Sequence, residues 1–310
     1  MVLRYTVVIP VFNSDKTIGE VIIRTSEFFE KNKIEYEIIA VNDGSSDNSW
    51  DVISGLCDKN PNLIGINFVR NYGQHNANLC GFKMASGDYI ITLDDDLQNP
   101  PEEISKLISK SKENHDLVIG NFKEKKHSFT RKIGSKIVAK LNSIVFSKPK
   151  DLVMTNFRLI HSSVVNRICD YRGADPYIPG LVVLYSSSPA NVEVEHLPRA
   201  VGSSNYGFAK ISKLVLSILF NYSVIPLRAV ILTGLFVSLA GFLYGSYVIL
   251  NSYFSDVSVP GWSSIVTLIS FSNAFLLLIL GVLGEYIIYL TKSINNPSNY
   301  LVKEEKTSAE

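Results

Sequence analysis

Short apolar runs alternate with amphipathic stretches along the N-terminal part of the chain. Within the amphipathic stretches the apolar residues recur every three or four positions, and the runs between them are rich in Val and Ile. Strand and helix alternating at this spacing predict a doubly wound α/β domain with a parallel sheet. The predicted strands are residues 5–12, 34–41, 63–69, 89–93 and 117–121, and the predicted helices are residues 49–59, 76–85, 102–114 and a stretch that ends near residue 31.

Two uncharged apolar runs of 22 residues follow in the C-terminal part, at 229–250 and 263–284. As a helix each would measure roughly 33 Å, enough to cross a bilayer core. The runs predict two transmembrane helices within residues 229–291, and the alternative is a buried helical hairpin in a soluble protein. The connection between them contains Asp256 but no Lys or Arg, whereas Arg228 precedes the first run and Lys292 follows the second. By the positive-inside rule, both termini, the α/β domain and a tail of residues 292–310 are expected in the cytoplasm.

Basic amphipathic segments lie between these parts. Lysines recur every four residues beside an apolar face at residues 131–146, and residues 206–228 form a second, juxtamembrane segment. Either segment suits an anionic membrane surface, but a helix packed on its own domain with a solvated lysine edge would look the same. The predicted organisation is an α/β domain at 1–205, the juxtamembrane segment, the two spans and the tail.

Charge and cysteine content exclude several classes of protein. The formal net charge of the 310-residue chain is +1, which gives no electrostatic case for a nucleic-acid partner. The three cysteines are widely spaced and contain no CxxC pair, which argues against a disulfide framework or a zinc site and fits a reducing compartment.

Three consecutive carboxylates, Asp94, Asp95 and Asp96, directly follow the predicted strand 89–93. The polar loops 12–15, 42–47 and 94–98 all follow strands, so the topology predicts a ligand crevice between them. Clustered carboxylates need a cation or hydrogen-bond donors, and hard oxygen ligands favour Mg²⁺ or Mn²⁺ shared with substrate phosphates. The alternative is a solvated acidic turn at a helix N-terminus.

Six motifs appear in order between residues 5 and 300: VIPVFN (8–13), NDGSSD (42–47), RNYGQH (70–75), DDDLQ with PPE (94–98 and 100–102), FRLI (157–160), and Arg199-x-x-Gly202-x-Ser204-x-Tyr206. With LGEYI (283–287) near the end of the second apolar run, the chain resembles the family 2 glycosyltransferases of GT-A fold, in particular the polyprenyl-phosphate glycosyltransferases. The RNYGQH and DLQNPPEE segments are most similar to the bacterial undecaprenyl-phosphate aminoarabinose transferases, although glucosyl-transferring relatives share much of them.

The resemblance implies a UDP-sugar donor, a polyprenyl-phosphate acceptor and a Mg²⁺ or Mn²⁺ cofactor. It implies that Asp94 and Asp96 bind the metal and that Gln98 reaches the sugar or the acceptor, and it marks position 156 as catalytic. The residues implied to hold the nucleotide sugar are Pro10, Phe12, Asn13, Asp43, Asn71, Asp94 and Asp95. Those implied to bind the lipid phosphate are Arg158, Arg199, Ser204 and Tyr206.

One position departs from the family pattern. Many relatives carry an aspartate, proposed as the catalytic base, directly before Phe-Arg, and this chain has Asn156 there. An amide cannot take a proton, but a phosphomonoester with a second pKa near 6 is largely dianionic at pH 7, so positioning could suffice. Asp95, Asp151 or no base at all remain open.

The expected reaction is an inverting transfer of a sugar from a UDP-sugar to undecaprenyl phosphate, at the cytoplasmic face of a bacterial inner membrane, for modification of lipid A or surface polysaccharide. A processive polysaccharide synthase is disfavoured, because the chain has no Gln-x-x-Arg-Trp motif and only two predicted spans. A catalytically inactive membrane scaffold is the other alternative, motivated by Asn156. Two spans per chain leave homo-oligomers open, and the sugar is not specified.

Overall fold

The computed structural model describes residues 3–122, 138–171, 173, 175–197, 208–254, 261–295 and 299–308. The chain divides into two compact units: the first comprises Met1–Ile211 and Asn296–Glu310, and the second Ser212–Asn295.

An eight-stranded mixed sheet forms the centre of the first unit, in the order β7-β5-β6-β4-β1-β2-β3-β8. Strands β4, β1, β2 and β3 are parallel neighbours, which confirms the predicted α/β architecture. The strands are β1 (Arg4–Val11), β2 (Glu35–Asn42), β3 (Leu63–Phe68), β4 (Tyr89–Thr92), β5 (Leu117–Phe122), β6 (Arg158–His161), β7 (Pro189–Val194) and β8 (Val302–Lys306).

Helices cover both faces of this sheet because their apolar stripes match the apolar strands. In α1, for example, Val21, Ile22 and Phe29 are buried, and each fully buried side chain of this kind contributes about 1.5–3 kcal/mol. The helices of the first unit are α1 (Ile18–Lys31), α2 (Ser49–Cys57), α3 (Gln74–Met84), α4 (Ile104–Ser111), which follows a 3₁₀ turn at Pro101–Glu103, α5 (138–145), α6 (Ser162–Cys169) and α7 (Ile178–Tyr185).

Two antiparallel strands depart from the predicted parallel sheet. Strand β6 pairs with β4 on one side and β5 on the other, and therefore brings Arg158 level with Thr92. Strand β8 pairs with β3 at the opposite edge. Residues 302–306 lie in the predicted tail 292–310, so part of that segment belongs to the sheet of the catalytic domain instead.

Parallel pairing brings the strand-end loops together, as expected. The register places Val11 beside Asn42 and Val8 beside Thr92, so β1, β2 and β4 end at one edge of the sheet. The loops that carry Asn13, Asp43 and Asp94 therefore meet, and the predicted crevice is at this edge.

Only part of the predicted basic helix 131–146 lies among the described residues. Helix α5 covers its C-terminal half, and Phe146 is buried, with its ring centroid 5.6 Å from that of Tyr177. This end of the segment packs on its own domain, whereas Ile144 is 55% exposed. Lys132 and Lys136 lie outside the described residues.

The second unit is helical, with α8 (Phe208–Tyr222, its first turn counted with the first unit), α9 (Ile225–Phe254) and α10 (Trp262–Asn295). Ser223 Oγ accepts a hydrogen bond from Ile225 N at 3.1 Å and Pro226 occupies the first turn, which explains why α9 starts there. From α10, Tyr286 donates to Ser223 O at 3.0 Å.

Both predicted apolar runs are helical, but two spans are not confirmed. Among the described residues one stretch is long and apolar enough to cross a membrane, Phe271–Thr291, of 21 residues. A second would require Leu214–Tyr222 and Ile225–Val237, which meet at a bend of 74°, to act as a single broken span. Large apolar side chains on α9 and α10 are exposed, such as Phe236 at 74% and Leu277 at 67%.

Candidate active site

Asp94, the first carboxylate after β4, is held from two sides. Its Oδ1 accepts from Gln74 Nε2 at 2.8 Å and from Asn156 Nδ2 at 3.4 Å. Burial, together with the neighbouring charges of Asp96 and Asp95, raises the pKa of Asp94 to about 6. The carboxylate is therefore costly in its charged form, and a cation beside it would relieve that cost.

Asp95 points the other way, toward the loop between β1 and α1. Its Oδ2 accepts from Phe12 N at 3.0 Å and from Ser14 Oγ at 2.6 Å, and its backbone O accepts from Thr17 Oγ1 at 2.6 Å. Burial raises its pKa, and these hydrogen bonds oppose the shift. Asp95 therefore braces the loop of Phe12 and Asn13, and this engagement leaves it poorly suited to serve as a free base.

Asn13 joins that loop to the one after β2. Asn13 has a positive φ of 54°, a conformation that Asn tolerates better than most residues. Its Oδ1 accepts from Ser46 N at 2.9 Å, and its own N–H donates to Ser45 Oγ at 2.9 Å. The first two strand-end loops thus form one hydrogen-bonded wall of the crevice.

Asp43 holds the loop that follows β3. Its Oδ1 accepts from Tyr72 N at 2.6 Å and its Oδ2 from Gly73 N at 2.8 Å, and the residue is only 2% exposed. Gly44, at φ +64°, packs directly on the same loop, since a Cβ there would come within 2.4 Å of the carbonyl carbon of Arg70. Burial raises the pKa of Asp43, and the two backbone donors oppose that shift.

The orientation of Asn156 follows from its neighbours. Arg158 Nη2 donates to its Oδ1 at 2.9 Å, so the amide NH₂ must face Asp94 and Gln74. Thr92 Oγ1 donates to the backbone O of Asn156. Asn156 is therefore a donor toward Asp94, and the structure offers no base at this position.

Arg158 lies beneath the site, 1% exposed on β6. Burial lowers its pKa to about 10, against the opposing influence of Asp94. The same buried region lowers the pKa of His75 to about 4, by desolvation first and by the positive charge of Arg158 second. The ring of His75 meets that of Tyr177 edge-on, with 5.5 Å between centroids.

The end of the acidic loop turns back on itself. Asp96 Oδ1 accepts from Gln98 N at 3.1 Å, and Leu97 has a positive φ of 58°. Gln98 is tied to Leu197, which follows β7, since its O accepts from Leu197 N at 2.9 Å and its Nε2 donates to Leu197 O at 3.5 Å.

A cleft of about 520 Å³ opens beside these residues. The sequence predicted three of its lining residues, Asp94, Gln98 and Asn156. Of the seven that it missed, four adjoin Gln98 or Asn156 in the chain, and Asn121, Phe122 and His196 come from elements distant in sequence. Gln74 was also missed as a partner of Asp94, although it lies in the RNYGQH motif. The remaining lining residues are Asn99, Asn121, Phe122, Val153, Met154, Thr155 and His196.

The other predicted residues fall into three groups. Phe12, at 48% exposure, and Asn71 are accessible at the ends of β1 and β3, whereas Pro10 is buried within β1. Asp151 is exposed and is not among the residues that line the cleft. The predicted lipid-phosphate residues Arg199, Ser204 and Tyr206 lie outside the described residues.

The donor set suits a magnesium or manganese ion shared with a substrate. The described residues contain no group of three or more His, Cys, Asp or Glu side chains that could cage a metal alone. Mg²⁺ commonly takes one or two carboxylates and completes its shell with water and phosphates. Asp94 and Asp96, close enough for one to raise the other's pKa, match that pattern.

Fold and sequence comparisons place the chain in a class. A family model described as Glycosyl transferase family 2 matches residues 6–170, more than half of the chain. The protein belongs to glycosyl transferase family 2 and is a glycosyltransferase, which confirms the predicted family and enzyme class.

Two curated relatives match nearly the whole chain. The undecaprenyl-phosphate 4-deoxy-4-formamido-L-arabinose transferase of Shewanella sediminis (strain HAW-EB3) is 31% identical over 306 residues, covering 96% of this chain and 91% of the relative. The uncharacterized glycosyltransferase YkcC of Bacillus subtilis (strain 168) is 31% identical over 303 residues, covering 97% and 94%.

Among solved structures, glucosyl-3-phosphoglycerate synthase from Mycobacterium tuberculosis, in complex with Mn²⁺ and UDP-glucose, matches with a TM-score of 0.51 and 14% identity. The match covers 71% of this chain and 77% of that one. At this identity the likeness shows the GT-A-like fold alone.

Proposed function

We propose that the protein transfers a sugar from a UDP-sugar to undecaprenyl phosphate at the cytoplasmic face of a bacterial inner membrane, for modification of lipid A or surface polysaccharide. The observation that carries this proposal is the meeting of three strand-end loops around Asp94 and Asp96. Near full-length similarity to a relative named as an undecaprenyl-phosphate sugar transferase supports the acceptor.

The nucleotide belongs on the β1–β3 side of the crevice. Phe12 offers an exposed ring on which a uracil base can stack, and the exposed Asn13 and Asn71, in the loops after β1 and β3, offer amide groups. Asp43 and Pro10 are buried, so they support this surface from below. Asp95 fixes the Phe12 loop through its two hydrogen bonds.

The diphosphate belongs at Asp94 and Asp96, which would hold Mg²⁺ or Mn²⁺. When bound, the ion would act as a Lewis acid that neutralises the departing diphosphate. Gln74 and Asn156 fix the orientation of the Asp94 carboxylate through its Oδ1, and Gln98 lines the cleft where a sugar would lie.

The acceptor needs positioning more than deprotonation. Asn156 donates hydrogen bonds and takes no proton, but a phosphomonoester is already largely dianionic at pH 7. In a single inverting displacement, an acceptor oxygen bonds to the anomeric carbon as the bond to UDP breaks. Arg158, Arg199, Ser204 and Tyr206 remain the proposed lipid-phosphate residues, with Arg158 acting from its buried position through Asn156.

Anchoring to the bilayer is proposed through α8, α9 and α10. Their exposed apolar side chains, for example Phe271 at 74%, would be costly in water and favourable in lipid. Two spans per chain, which leave lateral association of chains into homo-oligomers open, belong to this proposal.

The test is incubation of the detergent-purified full chain with undecaprenyl phosphate, Mg²⁺ or Mn²⁺ and a panel of UDP-sugars, with mass spectrometry of the lipid. One sugar per lipid with one donor is expected. Longer chains would favour a processive synthase, and no product with any donor from a protein that still binds UDP would favour a scaffold. Full turnover by Asp96→Ala would contradict the metal assignment.

A further inference from the structure

The C-terminal segment that returns from the helical unit lies against the loop that follows β3. Strand β8 pairs with β3 from Gly65–Lys306 to Phe68–Val302, and Val69 N donates to Leu301 O at 3.0 Å. The sheet pairing thus continues to the last residue before the loop 70–73.

An aromatic stack leads from this segment into the loop. The ring of Tyr300 lies on that of Phe68, with 4.9 Å between centroids and 15° between planes. Phe68 in turn meets Tyr72 edge-on at 5.7 Å, and the Arg70 guanidinium lies 5.2 Å from the Tyr72 ring centre. Phe68 is 2% exposed, and the stacked ring of Tyr300 is one of the groups that pack against it.

The same loop is bound from its other side by Asp43, whose carboxylate accepts from the backbone N–H groups of Tyr72 and Gly73. The loop is therefore held between a carboxylate below it and an aromatic side chain from the far end of the chain. Gly73 has a positive φ of 91°, which glycine adopts without steric cost, and the contacts from both sides hold the loop in this conformation.

We propose that Tyr300 is a positioning residue for donor binding: it holds loop 70–73, and through it Asn71 and Asp43, in the arrangement that receives the nucleotide. This inference rests on the proposed function, in which that side of the crevice binds UDP. A segment beyond the apolar helices, predicted from its charge to be a tail, then contributes to substrate affinity.

The opposite end of β8 provides a matched control. Lys306 Nζ binds Asp58 at 2.8 Å and Ser54 Oγ at 3.1 Å, on the α2 side and away from the loop. Lys306→Ala loosens the same strand without touching the aromatic stack. Tyr300→Phe keeps the stack and removes the hydroxyl together with its hydrogen bond to Cys80 on α3, on the side away from the loop.

The experiment compares the wild-type full chain in detergent with Tyr300→Ala, Tyr300→Phe and Lys306→Ala. Backbone hydrogen exchange of residues 69–73 and the UDP dissociation constant are measured, followed by KM and kcat with an active donor. For Tyr300→Ala we expect roughly tenfold faster exchange and roughly tenfold weaker UDP binding, from loss of one aromatic pair and its burial. Its KM should rise with kcat nearly unchanged, and the other two variants should match wild type.

Unchanged exchange and UDP affinity in Tyr300→Ala would overturn the inference, as would equal changes in Lys306→Ala. If wild type itself binds no UDP, the proposed donor is wrong, while the exchange comparison still decides whether Tyr300 holds the loop. Should Tyr300→Ala fail to fold, Tyr300→Leu, which keeps an apolar side chain under Phe68 but no ring, takes its place.

Discussion

The two flanks of the parallel core hold their parts of the site by opposite means. On the β4–β6 flank, burial and like charges raise the pKa of Asp94 to about 6, and burial lowers that of Arg158 to about 10. On the β2–β3 flank, burial also raises the pKa of Asp43, but no like charge adds to that shift, each oxygen has a backbone donor that opposes it, and the loop it binds is packed by aromatic rings. On the β4–β6 flank the charged form of Asp94 is disfavoured until a cation binds beside it. On the β2–β3 flank the Asp43 carboxylate has its hydrogen-bond partners before any ligand binds.

Because the charged form of Asp94 is disfavoured on the β4–β6 flank, removing its charge should lower activity but raise stability. We expect Asp94→Asn to lower kcat about 10³-fold, as loss of a key electrostatic contact typically does. Without divalent cations the same variant should be more stable than wild type at pH 8, by roughly 2 kcal/mol, because a buried charge is removed.

The pH dependence has a definite sign. A carboxyl whose folded pKa is raised destabilises the fold when charged, so wild-type stability falls as pH rises from about 4 through about 6. The advantage of Asp94→Asn should therefore shrink at pH 5. Urea unfolding in detergent with EDTA measures this, with the exposed Asp51→Asn on α2 as the matched control. Full activity, or a loss of stability at pH 8, would contradict the comparison.

The β2–β3 flank should respond in the opposite direction. Asp43→Asn leaves an amide NH₂ facing one of two backbone donors, so one buried N–H loses its partner at a cost of about 1–3 kcal/mol. We expect a loss of stability of about 2 kcal/mol and UDP binding weakened at least tenfold. Calorimetric titration with UDP and urea unfolding measure the two effects.

The control for that experiment is Asp58→Asn, whose carboxylate binds only at the surface with Lys306. A stabilised Asp43→Asn protein would show that this carboxylate, like that of Asp94, is disfavoured in its charged form. The distinction between the two flanks would then be lost.

Periodicity predicted the parallel core because that information is local. Helix α1 ends at Lys31 and β4 starts at Tyr89, as the apolar spacing indicated. Strand β8, with sequence VKEEK, carries no alternating apolar residues, and its first four residues are exposed. It is held at the edge by backbone pairing and by Tyr300, outside the strand itself, so hydrophobic pattern could not identify it.

The site shows the same limit at the level of single side chains. The sequence placed three carboxylates at a strand end, but only tertiary structure sends Asp95 to the Phe12 loop and Asp94 to Gln74 and Asn156. These directions depend on partners roughly 20 to 80 residues away in the chain. The antiparallel insertion of β6, which delivers Asn156 and Arg158, depends on equally distant pairing.

The pH dependence contributed by His75, near Arg158, reports how well water is excluded from the β4–β6 flank. The folded pKa of His75 is about 4, below the ordinary value of 6.5, so the unfolded chain takes up the proton first. The contribution of neutral His75 to the free energy of unfolding is therefore fully present above pH 6.5 and is lost as the pH falls toward 4. Between pH 7 and pH 5 this loss amounts to about 2 kcal/mol. His75→Phe keeps an edge-on ring for Tyr177 and removes this loss.

Urea unfolding at both pH values, wild type against His75→Phe, isolates the effect from the other histidines. The charge that acts on His75 here is that of Arg158, which stays protonated between pH 5 and 7 because its pKa is about 10. An identical pH dependence in the two proteins would mean that His75 is well hydrated, and that the flank is less buried than its geometry indicates.

The smallest effect is expected at Asn156, where relatives carry an aspartate. Asn156→Asp keeps the bond from Arg158 Nη2 as an ion pair, but it replaces the donor that faces Asp94 and Gln74 at 3.4 Å with a carboxylate oxygen, which raises the pKa of Asp94 further. A general base typically contributes about 10²–10⁴ to a rate, so restoring a missing base would raise kcat by roughly 100-fold or more. Because the acceptor phosphate is already largely dianionic at pH 7, we expect kcat to change by less than about tenfold between pH 6.5 and 8.

Steady-state rates of Asn156→Asp and wild type across that range test this expectation. Asn156→Ala, which loses the Arg158 bond as well, is the reference for simple disruption. A rise of about 100-fold would show that proton removal limits this enzyme and that its β4–β6 flank lacks a catalytic group.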